Sequence, residues 1–452
     1  MILKKARTTT LALLMLQCLA VQVPAQAQEF AGREKLRAHS EEFRREVIKV
    51  TDGVYVAVGF SLGNSILIEG ADGLIVVDTL SSVGDARAVK AEFDKISTKP
   101  VRAIIYTHHH ADHLGGASVF AGADRPDVYA HALLVAERDG NLSNLGRAGR
   151  DGGNQFGGPS LPENLRINAG VGPQLPAGGG GNGYVAPTRT FSGDEMTITV
   201  AGVRMQLVHA PAETADAIYV WLPDKKVLLP GDTFYRSFPN LYAIRGTRLR
   251  PVDAWVASLA KLVAVQADYL VPSHTRPISG ADAVRSALTS YHDGVKSVLD
   301  QTIAGIKEGL RPDELVEKVK LPPALAANPY LQEFYGTVPW SVRGIYTEYA
   351  GWFDGNATNL FPLSGEERAA GILELAGGEA RVLSKARDAL AQGNFQWAAE
   401  LADYVLAIHP DDKDARNLKA QALTALGERQ ISANGRNFYL SSAQYLTKDA
   451  PR

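Results

Sequence analysis

Short apolar runs alternate with turn residues in the first part of the chain. The region 48–78 contains three such runs, VYVAVGF, NSILIEG and GLIVVDT. Their β-branched residues and the turn residues between them predict a meander of β-strands. A helical spacing follows over 84–96, and the run VRAIIY over 101–106 predicts a buried strand that ends at a cluster of histidines.

The second half of the chain changes from strand patterns to helical ones. Strand patterns occur at 196–208, 217–222, 226–229 and 269–272, and helical spacing dominates from residue 280 onward. The segment 379–427 predicts a helical hairpin of repeat type with a His-Pro-Asp-Asp turn between its helices. Fewer than three repeats do not bury a core alone, so we expect this hairpin to pack on a partner surface.

A glycine-rich segment separates these two parts. It follows Leu145 and extends to about Tyr184. Connections of this length are uncommon within a domain and are usually functional. The segment therefore predicts a functional loop, with a mobile insertion as the alternative.

Composition predicts a globular protein and argues against a nucleic-acid partner. The chain has 452 residues, of which 45% are hydrophobic and 21% are charged, which suits two or three domains. Its 47 basic and 49 acidic residues give a formal charge of -2. The basic excess of a nucleic-acid binder is absent.

The first 27 residues have the pattern of a secretory signal peptide. Basic residues precede an apolar run over 11–23, and Ala25-Gln26-Ala27 offers small residues for cleavage. The run is shorter than the ~20 residues of a membrane span, so we expect no stable membrane anchor. Lipidation at Cys18 is less favoured, because Gln17 precedes it. We expect a periplasmic protein that loses its single cysteine on cleavage.

Four of the ten histidines lie within six residues, in the pattern H-x-H-x-D-H. His108 and His110 lie two residues apart and can bind one metal, while Asp112 and His113 face a second. His109 lies between these ligands and receives no role. The histidines elsewhere are interpreted as ordinary core or surface residues: His39, His131, His292 and His409.

Three later segments resemble ligand-bearing segments of the metallo-β-lactamase superfamily. The segment 212–218 has Glu213 where most of that superfamily has a histidine. The turn at 228–233 offers Asp232 as a bridging carboxylate, and the strand end at 271–274 offers His274. His209 is a rival to Glu213 but lies four residues too early, so it is interpreted as a strand-end residue.

Several further segments resemble the alkyl sulfatases within that superfamily, over nearly all of the mature chain. The segment 240–246 is similar to their N-I-Y-x-L-R-G motif. The stretches 335–338 and 346–356 are similar to Y-G-x-V and Y-x-x-Y-x-G-W-x-D-G-N-P, and 436–440 reads R-N-F-Y-L. There are departures. Asp232 replaces a glutamate, Thr275-Arg276-Pro277 replaces a bulkier pair, and the sterol-carrier-like C-terminal domain is not matched.

The resemblance implies an α/β fold, with a metallo-β-lactamase αββα sandwich over 28–311 and an all-α dimerisation domain over 312–452. It implies a homodimer that hydrolyses small sulfate esters with a hydroxide bound by two Zn²⁺ ions per subunit. One zinc would be bound by His108, His110 and Glu213, and the other by Asp112, His113 and His274, with Asp232 either bridging the two or lying closer to the second. The implied catalytic residues are Asp112 and Arg245, and the implied sulfate-binding residues are Asn240, Tyr242 and Arg245.

Three alternatives remain open from the sequence. The same fold can hydrolyse a β-lactam, a lactone or a thioester instead of a sulfate ester. A periplasmic partner-binding protein could carry a metal site that is only vestigial. Arg245 could form a structural salt bridge instead of binding substrate.

Overall fold

The computed structural model describes residues 30–140, 147–158, 160–175 and 179–448. The predicted signal peptide lies outside these ranges, so it stays a prediction. Two β-sheets and a series of helices account for most of the described residues.

The first sheet has seven strands in the order of the chain. Neighbours are antiparallel from β1 to β4 and parallel from β4 to β7. Its strands are β1 Glu46–Thr51, β2 Val54–Val58, β3 Ser65–Glu69, β4 Leu74–Val77, β5 Val101–Ile105, β6 Asp127–His131 and β7 Arg189–Phe191.

The second sheet has six strands in the order β13-β12-β11-β10-β9-β8. All its neighbours are antiparallel except β11 and β12. Its strands are β8 Glu195–Val200, β9 Val203–His209, β10 Ile218–Leu222, β11 Val227–Leu229, β12 Tyr269–Leu270 and β13 Ile278–Ser279.

Helices cover the outer faces of the sheets and form the C-terminal part of the chain. The α-helices that precede β12 in the chain are α1 Ala31–His39, α2 Val83–Phe93, α3 Ala111–Leu114, α4 Ala117–Ala121, α5 Leu133–Asp139, α6 Arg147–Gln155 and α7 Val252–Ala264. The later ones are α8 Ala281–Lys307, α9 Pro312–Lys318, α10 Pro323–Ala326, α11 Val338–Ala350, α12 Gly365–Leu375, α13 Glu379–Ala391, α14 Phe395–Ile408, α15 Lys413–Glu428 and α16 Ala433–Thr447.

Alternating side chains of the buried strands join the layers. In β4, Ile75 and Val77 point to the space between the two sheets, while Leu74 and Val76 pack under α2 and α4. All four are buried, as expected for a strand covered on both faces. A second core lies outside the other sheet, where α7 and α8 pack with α9 and α11. This layering confirms the predicted αββα sandwich followed by helices.

Several predicted elements differ in detail from the structure. The strand predicted over 196–208 is two strands, β8 and β9, because Ala201 and Gly202 form a turn with positive φ. The predicted hairpin over 379–427 contains three helices, α13, α14 and α15. Part of the glycine-rich segment forms the helix α6, which packs on α16. No helix among the described residues is long and apolar enough to cross a membrane.

Candidate metal centre

The ends of four strands meet at one edge of the sandwich. The parallel strands β4 and β5 are followed by Asp78 and by the histidine cluster, and β11 and β12 are followed by Asp232 and His274. Hydrogen bonds tie the two sheets together there: the Ile218 amide donates to the Thr107 carbonyl, 2.9 Å away. Side chains far apart in sequence are thereby brought into one buried cluster.

One group of candidate ligands contains His108, His110 and Asp232, whose ligand atoms lie within 4.8 Å of one another. His108 Nε2 is 2.9 Å from His110 Nδ1 and 3.7 Å from Asp232 Oδ2. Three nitrogen and oxygen donors around one point suit a transition-metal ion such as zinc.

A second group contains Asp112, His113 and His274. Asp112 Oδ2 lies 3.5 Å from His113 Nε2 and 3.4 Å from His274 Nε2. Asp232 Oδ2 also lies 3.5 Å and 3.0 Å from the same two nitrogens. Asp232 is therefore close to both groups, as a bridging carboxylate would be, and six of the seven predicted ligands come together here.

Glu213, the seventh predicted ligand, lies beside this cluster and faces Arg250. Glu213 Oε1 is 2.7 Å from Arg250 Nη1, and both side chains are buried. Glu213 is not one of the three residues in either group. Its Oε2 atom has no hydrogen-bond partner among the described residues. Coordination by Glu213 stays a prediction, for which this oxygen is the available atom.

The residues present fit a pair of metal ions. Among the described residues, the buried atoms His113 Nε2, Asp232 Oδ1 and Glu213 Oε2 have no hydrogen-bond partner. Buried polar atoms are nearly always satisfied, so unpartnered atoms at one place call for an ion, a water molecule or a ligand. Imidazole and carboxylate donors are the ligand types that zinc takes in catalytic sites.

Asp78 supports this cluster and was missed by the sequence analysis. Its Oδ2 accepts from Thr107 Oγ1 at 2.8 Å, from Ser273 Oγ at 2.7 Å and from His113 Nδ1 at 2.9 Å. Because His113 donates from Nδ1, its Nε2 lone pair is left for a metal. Asp78 also has a φ of 57°, a left-handed conformation that non-glycine residues seldom adopt. The sequence feature that could have identified Asp78 is its position directly after a buried strand.

The charges within the cluster stabilise one another. Burial opposes ionisation of Asp232, but the imidazoles of His274 and His113 hold the pKa of this carboxyl well below its usual value. Burial likewise opposes protonation of His113, but Asp232 and Asp112 raise the pKa of its imidazole well above the ordinary value. Desolvation lowers the pKa of His108 to about 4, so this imidazole is neutral and ready to bind a cation.

A cavity of about 140 Å³ opens onto the metal-binding residues. Arg245, Arg248 and Arg250 line it together with His110 and Glu213. Arg248 is exposed and pairs with Glu137 at 3.5 Å, whereas Arg250 is buried. The cavity is small and rich in cationic side chains, so it suits an anionic group.

The three predicted substrate-binding residues occupy different positions. Arg245 lines the cavity, its guanidinium 5.8 Å from the Phe156 ring, and its amide donates to Gln155 Oε1 at 3.2 Å. Asn240 is completely buried, and neither atom of its side-chain amide has a partner among the described residues. Tyr242 is partly buried beside α11, where an added Cβ at Gly344 would lie 2.9 Å from its Cβ.

Other side chains near the site had received no role from sequence. Tyr335, from the loop before α11, is buried, and burial together with the Glu213 carboxylate raises the pKa of its hydroxyl. His109 Nδ1 lies 2.8 Å from Asp216 Oδ1. His209 donates to the Ala215 carbonyl and stacks on His131 with ring centroids 3.9 Å apart. This position agrees with its interpretation as a strand-end residue.

Two families match consecutive parts of the chain. Residues 58–274 match the metallo-beta-lactamase superfamily, and residues 311–449 match a family described as alkyl sulfatase dimerisation. The second match begins next to the domain boundary predicted at residue 312.

Individual relatives agree with these matches. The chain is 43% identical over 391 residues to a linear primary-alkylsulfatase of Pseudomonas sp. (strain ATCC 19151), covering 84% of this chain and 73% of that protein. It is 30% identical to an (R)-specific secondary-alkylsulfatase of Pseudomonas sp., covering 90% of this chain and 63% of the relative. Among solved structures, it is similar to the stereoselective inverting sec-alkylsulfatase Pisa1 from Pseudomonas sp., with a TM-score of 0.83, 28% identity, and 90% and 66% of the two chains covered.

Proposed function

We propose that this chain, which belongs to the alkylsulfatase family of the metallo-β-lactamase superfamily, hydrolyses alkyl sulfate esters to an alcohol and inorganic sulfate. The observation that carries the proposal is the arginine-lined cavity beside the candidate metal ligands. A sulfate ester keeps one negative charge, and the three arginines outnumber the two glutamates, Glu137 and Glu213, that also line the cavity, so the net charge there attracts an anion. An uncharged lactone would gain nothing from these cations, so the alternative of lactone hydrolysis is less favoured.

We further propose two zinc ions per subunit, held by the two groups around Asp232. When bound, such a metal pair supplies a water molecule of lowered pKa for attack on an ester. The protein's own residues orient this chemistry: Asp78 fixes the tautomer of His113, and Asp232 lies between both groups. The predicted coordination by Glu213 would add a further carboxylate on the side of the cavity.

Arg245 would hold the sulfate group, since a planar guanidinium matches two oxygens of an oxyanion better than an ammonium does. Its loop is fixed by Gln155. The alkyl chain would extend toward the rim of the cavity, where Leu249 is exposed.

We propose a homodimer formed by the helical region. Exposed large apolar side chains are concentrated there: Tyr349, Trp352, Leu360, Phe361, Leu363, Leu375, Trp397 and Tyr445. Phe361 is 94% exposed, and the segment that precedes α12 contains three of these residues. An exposed apolar surface of this kind usually marks a protein interface. Light scattering should give a dimer for the parent and a monomer for Phe361→Asp, with Leu133→Asp on α5 as an exposed control.

Export to the periplasm is proposed from the N-terminal pattern alone. Cell fractionation with mass spectrometry of the N-terminus should find a mature protein that begins near Gln28. A cytoplasmic protein that keeps its first residues would contradict this part of the proposal.

The hydrolase proposal is tested with the mature protein purified without chelators. We expect close to two zinc ions per chain by elemental analysis and sulfate release from medium-chain alkyl sulfates. Glu213→His should keep two metals but lose this activity, and Arg245→Ala should keep the metals and mainly raise KM. If both variants hydrolyse alkyl sulfates as the parent does, or if the parent prefers lactones, the sulfatase proposal is wrong.

A further inference from the structure

His274, a candidate ligand of the second metal group, is held through the ring nitrogen that does not face the carboxylates. Its Nδ1 atom lies 3.0 Å from the Leu62 carbonyl oxygen, while its Nε2 atom lies 3.4 Å from Asp112 Oδ2 and 3.0 Å from Asp232 Oδ2. A carbonyl oxygen only accepts hydrogen bonds, so Nδ1 donates and the Nε2 lone pair is left for a metal ion. The place of this main-chain carbonyl therefore sets the orientation of the His274 ring.

Asn64 connects the loop between β2 and β3 to the chain around His274. Asn64 is buried, and its side-chain amide donates to the Pro272 carbonyl at 3.1 Å and to the Thr275 carbonyl at 2.7 Å. Its main-chain amide donates to the Ser273 carbonyl at 2.7 Å. Three hydrogen bonds from one residue thus fix carbonyl groups on both sides of His274.

The turn after His274 has a backbone conformation that needs such support. Thr275 is buried and has a φ of 65°, a left-handed conformation that is rare for a β-branched residue. Residues in such conformations persist only where the surrounding structure holds them. The hydrogen bond from Asn64 to the Thr275 carbonyl supplies one such restraint. Loss of this bond should let the turn relax and move the neighbouring His274.

The glycine-rich segment also contacts the loop between β2 and β3. A Cβ atom added at Gly172 would lie 2.1 Å from the Leu62 carbonyl oxygen and 2.9 Å from its carbonyl carbon. This oxygen is the one that accepts from His274. Main-chain atoms cannot give way as a flexible side chain can, so only glycine allows the two chains to approach so closely. An alanine at this position would displace the Leu62 carbonyl.

We propose that Asn64 and Gly172 are positioning residues for the second metal ion. Asn64 fixes the turn that carries His274, and Gly172 leaves room for the Leu62 carbonyl that orients the ring. Neither residue is among the proposed metal ligands. The inference rests on the proposed metal pair, and it assigns a role to one part of the glycine-rich segment.

The test measures the zinc affinity of the second site in the full mature protein by competition with a chromophoric chelator. Asn64→Ala should lower this affinity by about 10-fold, the lower end of the range for contacts that support a metal ligand, because Asn64 acts through the main chain. The first zinc should stay bound. Gln301→Ala on α8 is the matched control, since the Gln301 side-chain amide also donates to two main-chain carbonyls, those of Ser297 and Lys320. Both variants should lose Tm, but Gln301→Ala should keep the parent's zinc affinity within threefold.

Gly172→Ala provides a second variant that changes no hydrogen-bonding side chain. Its added methyl group must displace the Leu62 carbonyl, so it should also weaken the second zinc site by about 10-fold. Gly179→Ala is the control in the same glycine-rich segment, because a Cβ atom there meets no other atom of the described residues within 4 Å. We expect the zinc affinity of this control to equal the parent's.

The parent's zinc affinity in both Asn64→Ala and Gly172→Ala, or an equal loss in the two controls, would overturn the inference. Should Asn64→Ala fail to fold, Gly172→Ala decides the question alone. A parent that hydrolyses no alkyl sulfate, but whose second zinc is weakened in both variants, would support the positioning role and contradict the proposed activity. A parent that hydrolyses alkyl sulfates, with variants that bind zinc as tightly, would support the activity and contradict the positioning role.

Discussion

Replacing Asp78 by asparagine tests whether this buried carboxylate sets the tautomer of His113. Asp78 is fully buried and accepts from the Thr107 amide at 2.9 Å and from His113 Nδ1 at 2.9 Å. Burial opposes its ionisation, but the interaction with His113 keeps the pKa of Asp78 below its ordinary value, so the native group is a carboxylate. Asparagine keeps the shape but has only one oxygen.

The consequence for His113 follows from the donors around it. The Thr107 amide can only donate, so the asparagine oxygen should stay opposite it and turn its NH₂ group toward His113. His113 Nδ1 must then accept, which moves the ring proton to Nε2 and blocks metal binding there. Loss of such a supporting contact costs about 10- to 100-fold in metal affinity, or about 1.4 to 2.7 kcal/mol.

The measurement is zinc content by elemental analysis together with competition by a chromophoric chelator. Asp78→Asn should retain the first zinc and lose the second at chelator concentrations that the parent withstands. Ser273→Ala is the control, since it removes one donor to Asp78 and leaves the carboxylate and His113 unchanged. An Asp78→Asn protein that binds both ions with the parent's affinity would refute the tautomer argument.

Two further predictions concern stability. Desolvation lowers the pKa of the buried His39 imidazole to about 4. Between about pH 6.5 and pH 4 the unfolded chain therefore binds a proton at this residue that the folded chain does not bind. The free energy of unfolding should fall by up to about 3 kcal/mol as the pH drops through this range. Urea unfolding of His39→Phe should show a flatter pH dependence in this window, and an unchanged slope would contradict the assignment. Arg436 is 2% exposed and joins Glu428 to the Leu165 carbonyl. Arg436→Met should therefore lower the free energy of unfolding by about 1–3 kcal/mol, against almost no change for the exposed Arg387→Met; equal effects of the two would argue against this network.

The sequence identified the histidine cluster from a local signal, and the three later candidate ligands from their resemblance to segments of the superfamily. Histidines two residues apart at the end of a buried strand can be recognised without knowing the rest of the fold. Each later candidate ligand also follows or precedes a strand. The supporting contacts are not local. Asp78 and His113 are 35 residues apart, and their meeting depends on β4 and β5 being parallel neighbours.

The glycine-rich segment contains a helix that the sequence analysis did not predict. Three glycines within 147–155 disfavour a helix by intrinsic propensity, yet α6 forms there. Packing on α16 and the hydrogen bond between Ser160 and Ser441 supply the stabilisation that propensity lacks. Such tertiary contacts cannot be predicted from a segment of ten residues.

The candidate metal ligands and the arginines that line the cavity lie on different elements of the fold. The ligands around Asp232 lie at strand ends, fixed by both sheets, whereas Arg245 and Arg250 lie in a loop. Helical elements support that loop. Gln155 of α6 accepts from the Arg245 amide, and Gly336, before α11, approaches so closely that an added Cβ would be 1.9 Å from the Pro239 carbonyl oxygen. Changes in α6 or in the helices after residue 311 can thus shift the arginines while leaving the candidate metal ligands in place. We therefore expect the substrate of this fold to be set by its helical supports and its metal chemistry by its sheets.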